Sequence, residues 1–508
     1  MKLYERIIEL ALQRSIFFPS NEIYNPVSGF YDYGPVGVRI KNKIQDLWRK
    51  MFISREGFHE IETSLVTPEI VLKASGHVDS FADPIVECKS CKANVRADHL
   101  VEEVEPKYKF DGNFERLNAL ISQHKLKCPS CKKGELTEAA SFNLMFKTGI
   151  GGNRDVGFNR PETAQGIFTA FSRLYRNHGA KLPLAVGQVG RSFRNEISPR
   201  QGLVRMREFT QMELEYFFNP EFQDIEGAED LSHVKMTFEV SGKKVHKTMK
   251  EATHNKISAN NIMSYFLAKE WFFYKMCGIP EEKMYFRVLG KDELPHYSKS
   301  NIDMEVETSY GNIETIGNAH RTDYDLSQHA KFSRKDLAVF DPANNKKLVP
   351  HVFEASLGVD RLFFCILEHC FREKKQTATG DSKLKTQDSG HETGKEWDWF
   401  DFPPVIAPYD VCVFPLMKKD GLAELAKEIS NKLMEELDVL YSETGAIGKR
   451  YARADEIGCP FAITVDYQTK DDQTVTLRYR NDGKQERIKV SELLGKIKEN
   501  IKNNKVNL

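Results

Sequence analysis

The most informative pattern of apolar and polar positions lies in residues 190–217, GRSFRNEISPRQGLVRMREFTQMELEYF. It predicts a strand, a long polar turn and a second strand. Along the second strand Arg207, Phe209, Gln211, Glu213 and Glu215 fall two residues apart, so their side chains share one face. Thr210, Met212, Leu214 and Tyr216 take the other face, which is the apolar one. A sheet face packed on a core carries Val or Leu, not two carboxylates, an amide and a guanidinium. The charged row is therefore predicted to line a cavity for a polar ligand; a solvated hairpin with salt-bridged ends is the plainer alternative. Arg194 and Arg207 offer the forked donors that grip phosphate oxygens, and Phe209 offers a flat surface for a base.

Elsewhere the period changes. The opening MKLYERIIELALQRSIFF reads as an amphipathic helix rather than a signal peptide. Residues 35–51 predict a helix opened by Gly34-Pro35, and IETSLVTP predicts a strand ending at Pro68. A further helix is predicted near 263–276. PHVFEASLGVDRLFFCILEHCF predicts a strand carrying Glu354, a turn at Gly358 and an apolar helix begun by Arg361, where free backbone N–H groups favour anions. An arginine that merely opens a buried helix is the alternative there. Residues 219–260 are polar, with few aliphatics, and read as an insertion beside the sheet. Residues 372–396 lack aliphatic periodicity and are predicted to be a disordered loop. Beyond Phe402 strands alternate with helices, which implies a small α/β domain with a mixed sheet.

Composition narrows this only a little. A chain of 508 residues implies about three domains. Lys plus Arg and Asp plus Glu balance at 73 each, so any nucleic-acid contact must come from local patches. No apolar run approaches the roughly 20 residues of a membrane span, which makes the cytoplasm the expected compartment. Of nine cysteines, Cys88/Cys91 and Cys128/Cys131 form two C-x-x-C pairs. In a reducing compartment such pairs favour a four-thiolate structural zinc site, with two unrelated thiol pairs as the alternative. Cys277, Cys365, Cys370, Cys412 and Cys459 sit among apolar neighbours and read as core.

The 190–217 segment resembles motif 2 of the class II aminoacyl-tRNA synthetases. Phe193, Arg194 and Glu196 fill its first part; Arg205, Arg207 and Phe209 fill its second. Residues 35–68 are similar to motif 1, which builds the dimer interface in that family, and the Glu354–Arg361 stretch is similar to motif 3, with Ala355 where Pro is common. The wording of GFYDYGPVG, ASGHVDSFADP, RPETAQG (from Arg160) and YGNIETIGNAHRTDYDLSQH resembles the dimeric, archaeal and eukaryotic type of glycyl-tRNA synthetases over nearly the whole chain; Asn312 stands where that family usually has Trp. The implied fold is α+β: a class II antiparallel sheet flanked by helices, a zinc-ribbon-like insertion and a C-terminal α/β anticodon-binding domain. GKRYARADEIGCPF, with Lys449, Arg450 and Arg453, is the most recognisable piece of the last. The expected layout is core at 1–86, 140–218 and 261–403, zinc insertion at 87–139, polar insertion at 219–260 and anticodon-binding domain at 404–508.

The resemblance also implies an activity: ATP-dependent formation of glycyl-adenylate, then transfer of the glycyl group to the 3′ end of tRNA(Gly) by a homodimer. Neither step needs a protein nucleophile, only alignment and neutralisation of charge. By the same resemblance Arg194 holds the α-phosphate and the attacking carboxylate, while Arg361 holds the γ-phosphate and covers the adenine opposite Phe209. Asn195, Glu196 and the run Val204, Arg205, Met206, Arg207, Glu208, Phe209 are implied at ATP, with Gly358, Val359 and Asp360. Glu314, as a Mg²⁺ ligand, and Thr315 are implied beside the phosphates. The glycine site is implied to include Arg96, Glu162, Phe209, Thr210, Gln211, Met212, Glu213, Glu354, Ala355, Ser356, Leu357 and Gly358. Steric walls suffice to exclude larger amino acids, so no editing domain is expected. Two other readings stay open: a class II ligase for proline, threonine or histidine, and a catalytically inactive nucleic-acid-binding subunit. Amino-acid-dependent pyrophosphate exchange separates the first, and retention of Arg194 and Arg361 argues against the second.

Overall fold

The computed structural model describes residues 2–152, 155–197, 199, 202–341, 345–373 and 397–503. Its centre is a nine-stranded sheet. From one edge the order is Lys243–Thr248, Lys235–Val240, Met284–Val288, Ser300–Thr308, Gly311–Thr322, His351–Gly358, Glu208–Phe218, Leu184–Phe193 and His59–Glu60. The six strands from Met284–Val288 through to Leu184–Phe193 pair antiparallel throughout.

The alternation predicted for the Glu208–Phe218 strand sets the architecture. Met212, Leu214 and Tyr216 sink into the largest apolar core with Phe353, Ala355, Leu357 and Ile316 of the neighbouring strands. Each such side chain contributes about 1.5–3 kcal/mol. The helices Pro35–Trp48, Asn261–Met276 and Val359–Cys370 add Ile40, Ile44, Phe266, Tyr274 and Leu362 to the same core. Gly34 and Pro35 begin the first of these helices as expected. It closes at Trp48 and continues as a π-helical turn over Arg49–Ser54. Gly37 is needed there, because an added Cβ would lie 1.9 Å from the Ile16 carbonyl oxygen.

One expectation needs correction, and another falls almost wholly outside the described residues. Residues 219–260 are not merely an insertion beside the sheet. The hairpin Lys235–Val240/Lys243–Thr248 is the edge of the sheet itself, joined parallel to Met284–Val288, and Met236 and Phe238 are core. A hairpin with one buried side needs only a few apolar residues, which is why its composition reads as polar. Of the loop predicted at 372–396, residues 374–396 lie outside the described residues, while Arg372 pairs with Trp399 in a short ladder.

The C-terminal α/β pattern folds into a five-stranded mixed sheet. Val411–Pro415 runs parallel to both Val439–Tyr441 and Phe461–Val465, and Thr474–Tyr479 and Gln485–Lys489 are antiparallel. Of Lys449, Arg450 and Arg453, the two arginines donate to backbone carbonyls. Arg450 is buried and donates to the carbonyls of Pro415, Leu416 and Ser442. Arg453 donates to the Lys449 and Thr444 carbonyls. The five scattered cysteines are all buried.

One charge is hidden under the sheet. Glu270, on the largely buried Asn261–Met276 helix, accepts from Asn318 Nδ2 at 2.9 Å through one oxygen and has no partner for the other. Burial raises its carboxyl from 4.5 to about 8, only partly opposed by Asn318. A raised carboxyl stabilises the fold fully below about pH 4.5, and that stability is lost as pH rises through about 8. Glu270→Gln should therefore match the wild type to within about 1 kcal/mol near pH 5 and exceed its stability by about 2–4 kcal/mol near pH 9. Denaturant unfolding at both pH values reads the difference, and parallel pH curves would refute it.

Candidate active site

The polar face of the same strands floors a cavity of about 440 Å³. Ladder register builds that floor: Gln211 pairs with Gly358, Glu213 with Ser356 and Glu215 with Glu354, and Ser356 in turn with Gly317. Paired residues share a face, so one row of acidic and amide side chains spans three strands.

One end of the cavity is cationic. Arg194, Arg205 and Arg361 line it together with Glu196, Val204, Met206 and Phe209. Arg194 Nε donates to the Pro161 carbonyl at 3.2 Å, and its guanidinium lies 5.3 Å from the centre of the Phe81 ring and 5.4 Å from that of Phe209. Arg361, in the first turn after Gly358, donates to the carbonyls of Val204 (3.2 Å) and Glu314 (2.9 Å). Burial lowers the Arg361 guanidinium, Glu314 opposes this, and the nearby charges of Arg194 and Arg205 lower it further. Two carboxylates stand near the cluster, Glu196 3.7 Å from Arg205 and Glu314 3.7 Å from Arg361. Arg194 and Arg361, 167 residues apart in sequence, thus face one space.

The other end is acidic. Glu162, Glu213 and Glu354 line it with Ser356 and Arg321. Glu213 accepts from the Thr163 N–H (2.9 Å), Ser356 Oγ (2.6 Å) and Gln211 Nε2 (2.8 Å), and also from the Thr163 hydroxyl. Arg321 donates to both oxygens of Glu354 at 3.0 and 2.9 Å and is paired with Asp325. Burial raises Glu354 to about 8; Arg321 pulls it down, while Glu213 and Glu162 push it up. Burial also acts to raise Glu162, but His77, Arg321 and Gln165 outweigh it and hold that carboxyl well below the ordinary range. Glu215 lies deeper on the same face, fully buried, with no partner for either oxygen. Carboxylates crowded around one guanidinium leave an excess of acceptors, which is what an ammonium group requires.

Between the ends stand Glu314, Thr315 and Asp303. Thr315 Oγ1 is committed to the Met304 carbonyl. Asp303 is raised to about 7, first by burial and then by the charge of Glu314. A buried carboxyl facing a second carboxylate in one cavity is a setting that a divalent cation suits.

Several sequence-predicted residues do not line the cavity. Arg207 is pinned by its guanidinium to the carbonyls of Glu196 and Ser28, so it braces the turn rather than facing a ligand. Glu208, Thr210 and Met212 project to the opposite side of the strand, toward Arg191, Lys41 and the core respectively. Ala355 and Leu357 are core residues for the same reason of alternation, and Val359 enters the core from the first turn of the following helix. Asn195 meets the Leu144 carbonyl through its N–H. Arg96 belongs to the cysteine-bearing subdomain, paired with Asp83 and Asp98. Asp360 borders the cavity, but Lys41 and the Thr210 N–H hold its carboxylate from behind.

Arg321, Asp303, His77 and Thr163 were not anticipated. An Arg321–Asp325 pair at i,i+4 is the only local signal, and it reads as ordinary helix-surface charge.

The four paired cysteines converge. Their sulfurs lie within 4.8 Å of one another, with Cys88–Cys131 at 3.7 Å and Cys91–Cys128 at 3.6 Å. A tetrahedral zinc with Zn–S of about 2.3 Å has edges of about 3.8 Å, so the sulfurs fit one. The Cys91 and Gly134 N–H groups donate to sulfur. The Cys131 N–H pulls the Cys128 thiol down to about 6, with burial opposing.

An antiparallel sheet whose polar face joins a guanidinium cluster to an acidic pocket, followed by a separate α/β domain, defines a class II aminoacyl-tRNA synthetase. Residues 152–370 match the family described as tRNA synthetase class II core domain (G, H, P, S and T), and residues 410–500 match the anticodon binding domain. The glycine–tRNA ligase of Methanocaldococcus jannaschii is 37% identical over 98% of this chain and 99% of its own. That of Methanothermobacter thermautotrophicus is 36% identical over 97% and 98%. The chain belongs to the glycine–tRNA ligase family. A solved prolyl-tRNA synthetase from Cryptosporidium parvum, complexed with halofuginone and AMPPNP, shares the fold at a TM-score of 0.57 and 13% identity, covering 98% of this chain and 77% of the other.

Proposed function

We propose that this single cavity runs both steps of glycine–tRNA ligation, with ATP at the arginine end and glycine at the acidic end. The chain is an aminoacyl-tRNA ligase for glycine, as its family membership gives; the residue roles are the new part. The observation that carries them is the presence of Arg194 and Arg361 on one wall and of Glu162, Glu213 and Glu354 on the other.

In the first step a carboxylate oxygen of glycine attacks the α-phosphorus of ATP, the bond to the bridging oxygen breaks and pyrophosphate leaves. Arg194 neutralises charge on the α-phosphate and the incoming carboxylate, and Arg361 holds the γ-phosphate. Phe209 supports the adenine. Glu162 and Glu213 accept from the ammonium, while Glu354, already bound by Arg321, adds to the field. In the second step a hydroxyl of the terminal adenosine of tRNA attacks the glycyl carbonyl and AMP leaves. Glu314 and Asp303 would hold Mg²⁺, which supplies neutralisation of phosphate charge. Glycine-dependent ATP–pyrophosphate exchange should be present in the wild type, and Arg194→Ala should reduce it by about 100- to 1,000-fold. Exchange driven by proline and not by glycine would overturn the assignment.

The four cysteines are read as a structural zinc site, closed to catalysis because four thiolates fill it. The tetrahedral spacing of the sulfurs supports this, and so does Gly134, where an added Cβ would lie 2.1 Å from Cys88 Sγ. Elemental analysis should find about one zinc per chain, and Gly134→Ala should lose most of it; unchanged stoichiometry counts against the site.

A homodimer is supported by an exposed apolar groove that includes Ile70, Phe332 and Phe340, with Leu65 and Val66 exposed on the adjoining chain. Phe332→Glu should shift sedimentation at micromolar concentration from a dimer toward half that mass. A monomeric wild type would end this reading.

A further inference from the structure

The short segment between Gly76 and Ala82 touches both ends of the cavity, although neither end's chemistry requires it. His77 Nε2 lies 3.4 Å from a Glu162 oxygen, and His77 Nδ1 is fixed by the Ser75 hydroxyl at 2.7 Å. Four residues on, the Phe81 ring lies against the Arg194 guanidinium, with its centre 5.3 Å from the guanidinium carbon. The two rings meet edge-on, with centres 5.4 Å apart. His77 and Phe81 therefore form one small unit with a carboxylate at one end and a guanidinium at the other.

That unit is stitched to the neck of the cysteine-bearing subdomain. Leu144 N–H donates to the Phe81 carbonyl at 3.0 Å, and Asn195 N–H donates to the Leu144 carbonyl at 2.6 Å, directly beside Arg194. Asn143 Nδ2 donates to the Val78 carbonyl at 3.1 Å. The strand Ala82–Glu87 starts at once after Phe81 and pairs with Ala140–Asn143. Chain entering and leaving the subdomain thus closes a hydrogen-bonded bracket around Arg194.

We propose that His77 and Phe81 are positioning residues, His77 for Glu162 and Phe81 for Arg194, and that through them the neck of the cysteine-bearing subdomain sets the alignment of the two substrates. Without Phe81 the Arg194 guanidinium keeps its charge but loses one of the two rings beside it. Without His77, Glu162 loses a partner and the freedom to turn is restored to its carboxylate. The proposal rests on the assignment of ATP and glycine to the two ends of the cavity.

The test is a split between the Michaelis constants in glycine-dependent pyrophosphate exchange. Phe81→Leu keeps apolar bulk, and it should lower kcat and raise the ATP KM by about tenfold in all while leaving the glycine KM within about twofold. Phe81→Tyr, which restores a ring, should return both. His77→Phe keeps the contact with Phe81 and should show the converse: the glycine KM up by about tenfold and the ATP KM within about twofold. Arg194→Lys and Glu162→Gln serve as controls for the two ends. Wild-type constants in both variants, or an equal loss on both substrates with a lowered Tm, would overturn the proposal while the controls still split. Should the controls fail to split, the assignment of the cavity's ends falls, and this proposal with it.

Discussion

Everything in this structure depends on one strand, Glu208–Phe218, keeping two incompatible environments on its two faces. On one side Met212, Leu214 and Tyr216 are fully out of water; on the other Gln211, Glu213 and Glu215 are equally buried but polar. Burying carboxylates costs far more than any single apolar contact returns unless they are paired. Arg321, paired with Glu354 and Asp325, with the Thr163 and Ser356 donors to Glu213, offsets most of that cost. What is left over is Glu215, with no hydrogen-bond partner for either oxygen, and the raised Glu354.

The same constraint explains why the cavity has two ends rather than a uniform lining. Carboxylates and guanidiniums placed side by side would neutralise one another. Here Arg194 and Arg361 are fixed mainly by backbone carbonyls, Arg194 by Pro161 and Arg361 by Val204 and Glu314, while Glu196 and Glu314 stand 3.7 Å from Arg205 and Arg361. Carbonyl acceptors hold a guanidinium in place without cancelling its charge. Asp360 extends this from behind, tying the Pro35–Trp48 helix through Lys41 to the residue preceding Arg361. The site is therefore braced by all three core segments.

Legibility from sequence followed the range of the forces involved. Alternation within one strand is a two-residue effect, and it correctly divided Gln211 and Glu213 from Met212 and Leu214. It applies equally to the residues placed at the site by resemblance alone: Thr210, Met212, Ala355 and Leu357 lie in the motifs but face away from the cavity. Arg207 shows a different limit. Its place in the polar row was legible, but the carbonyls of Glu196 and Ser28 that capture it come from a turn and a distant loop. Arg450 shows the same limit: its type and place in the sequence do not reveal that carbonyls at 415, 416 and 442 draw it inward.

Sequence by itself determined the two-faced strand, the Gly-Pro helix start, the helix opened by Arg361, the four paired cysteines and the alternating C-terminal pattern, because each is a matter of local period, spacing or turn chemistry. Tertiary structure alone decided which cation neutralises Glu354, which carboxylate stands beside Glu314, and that a hairpin of polar composition completes the sheet. Those outcomes arise from ladder register and from contacts between residues tens to hundreds of positions apart, where Coulomb attraction and desolvation depend on distance in space. No local pattern of residue types carries that distance.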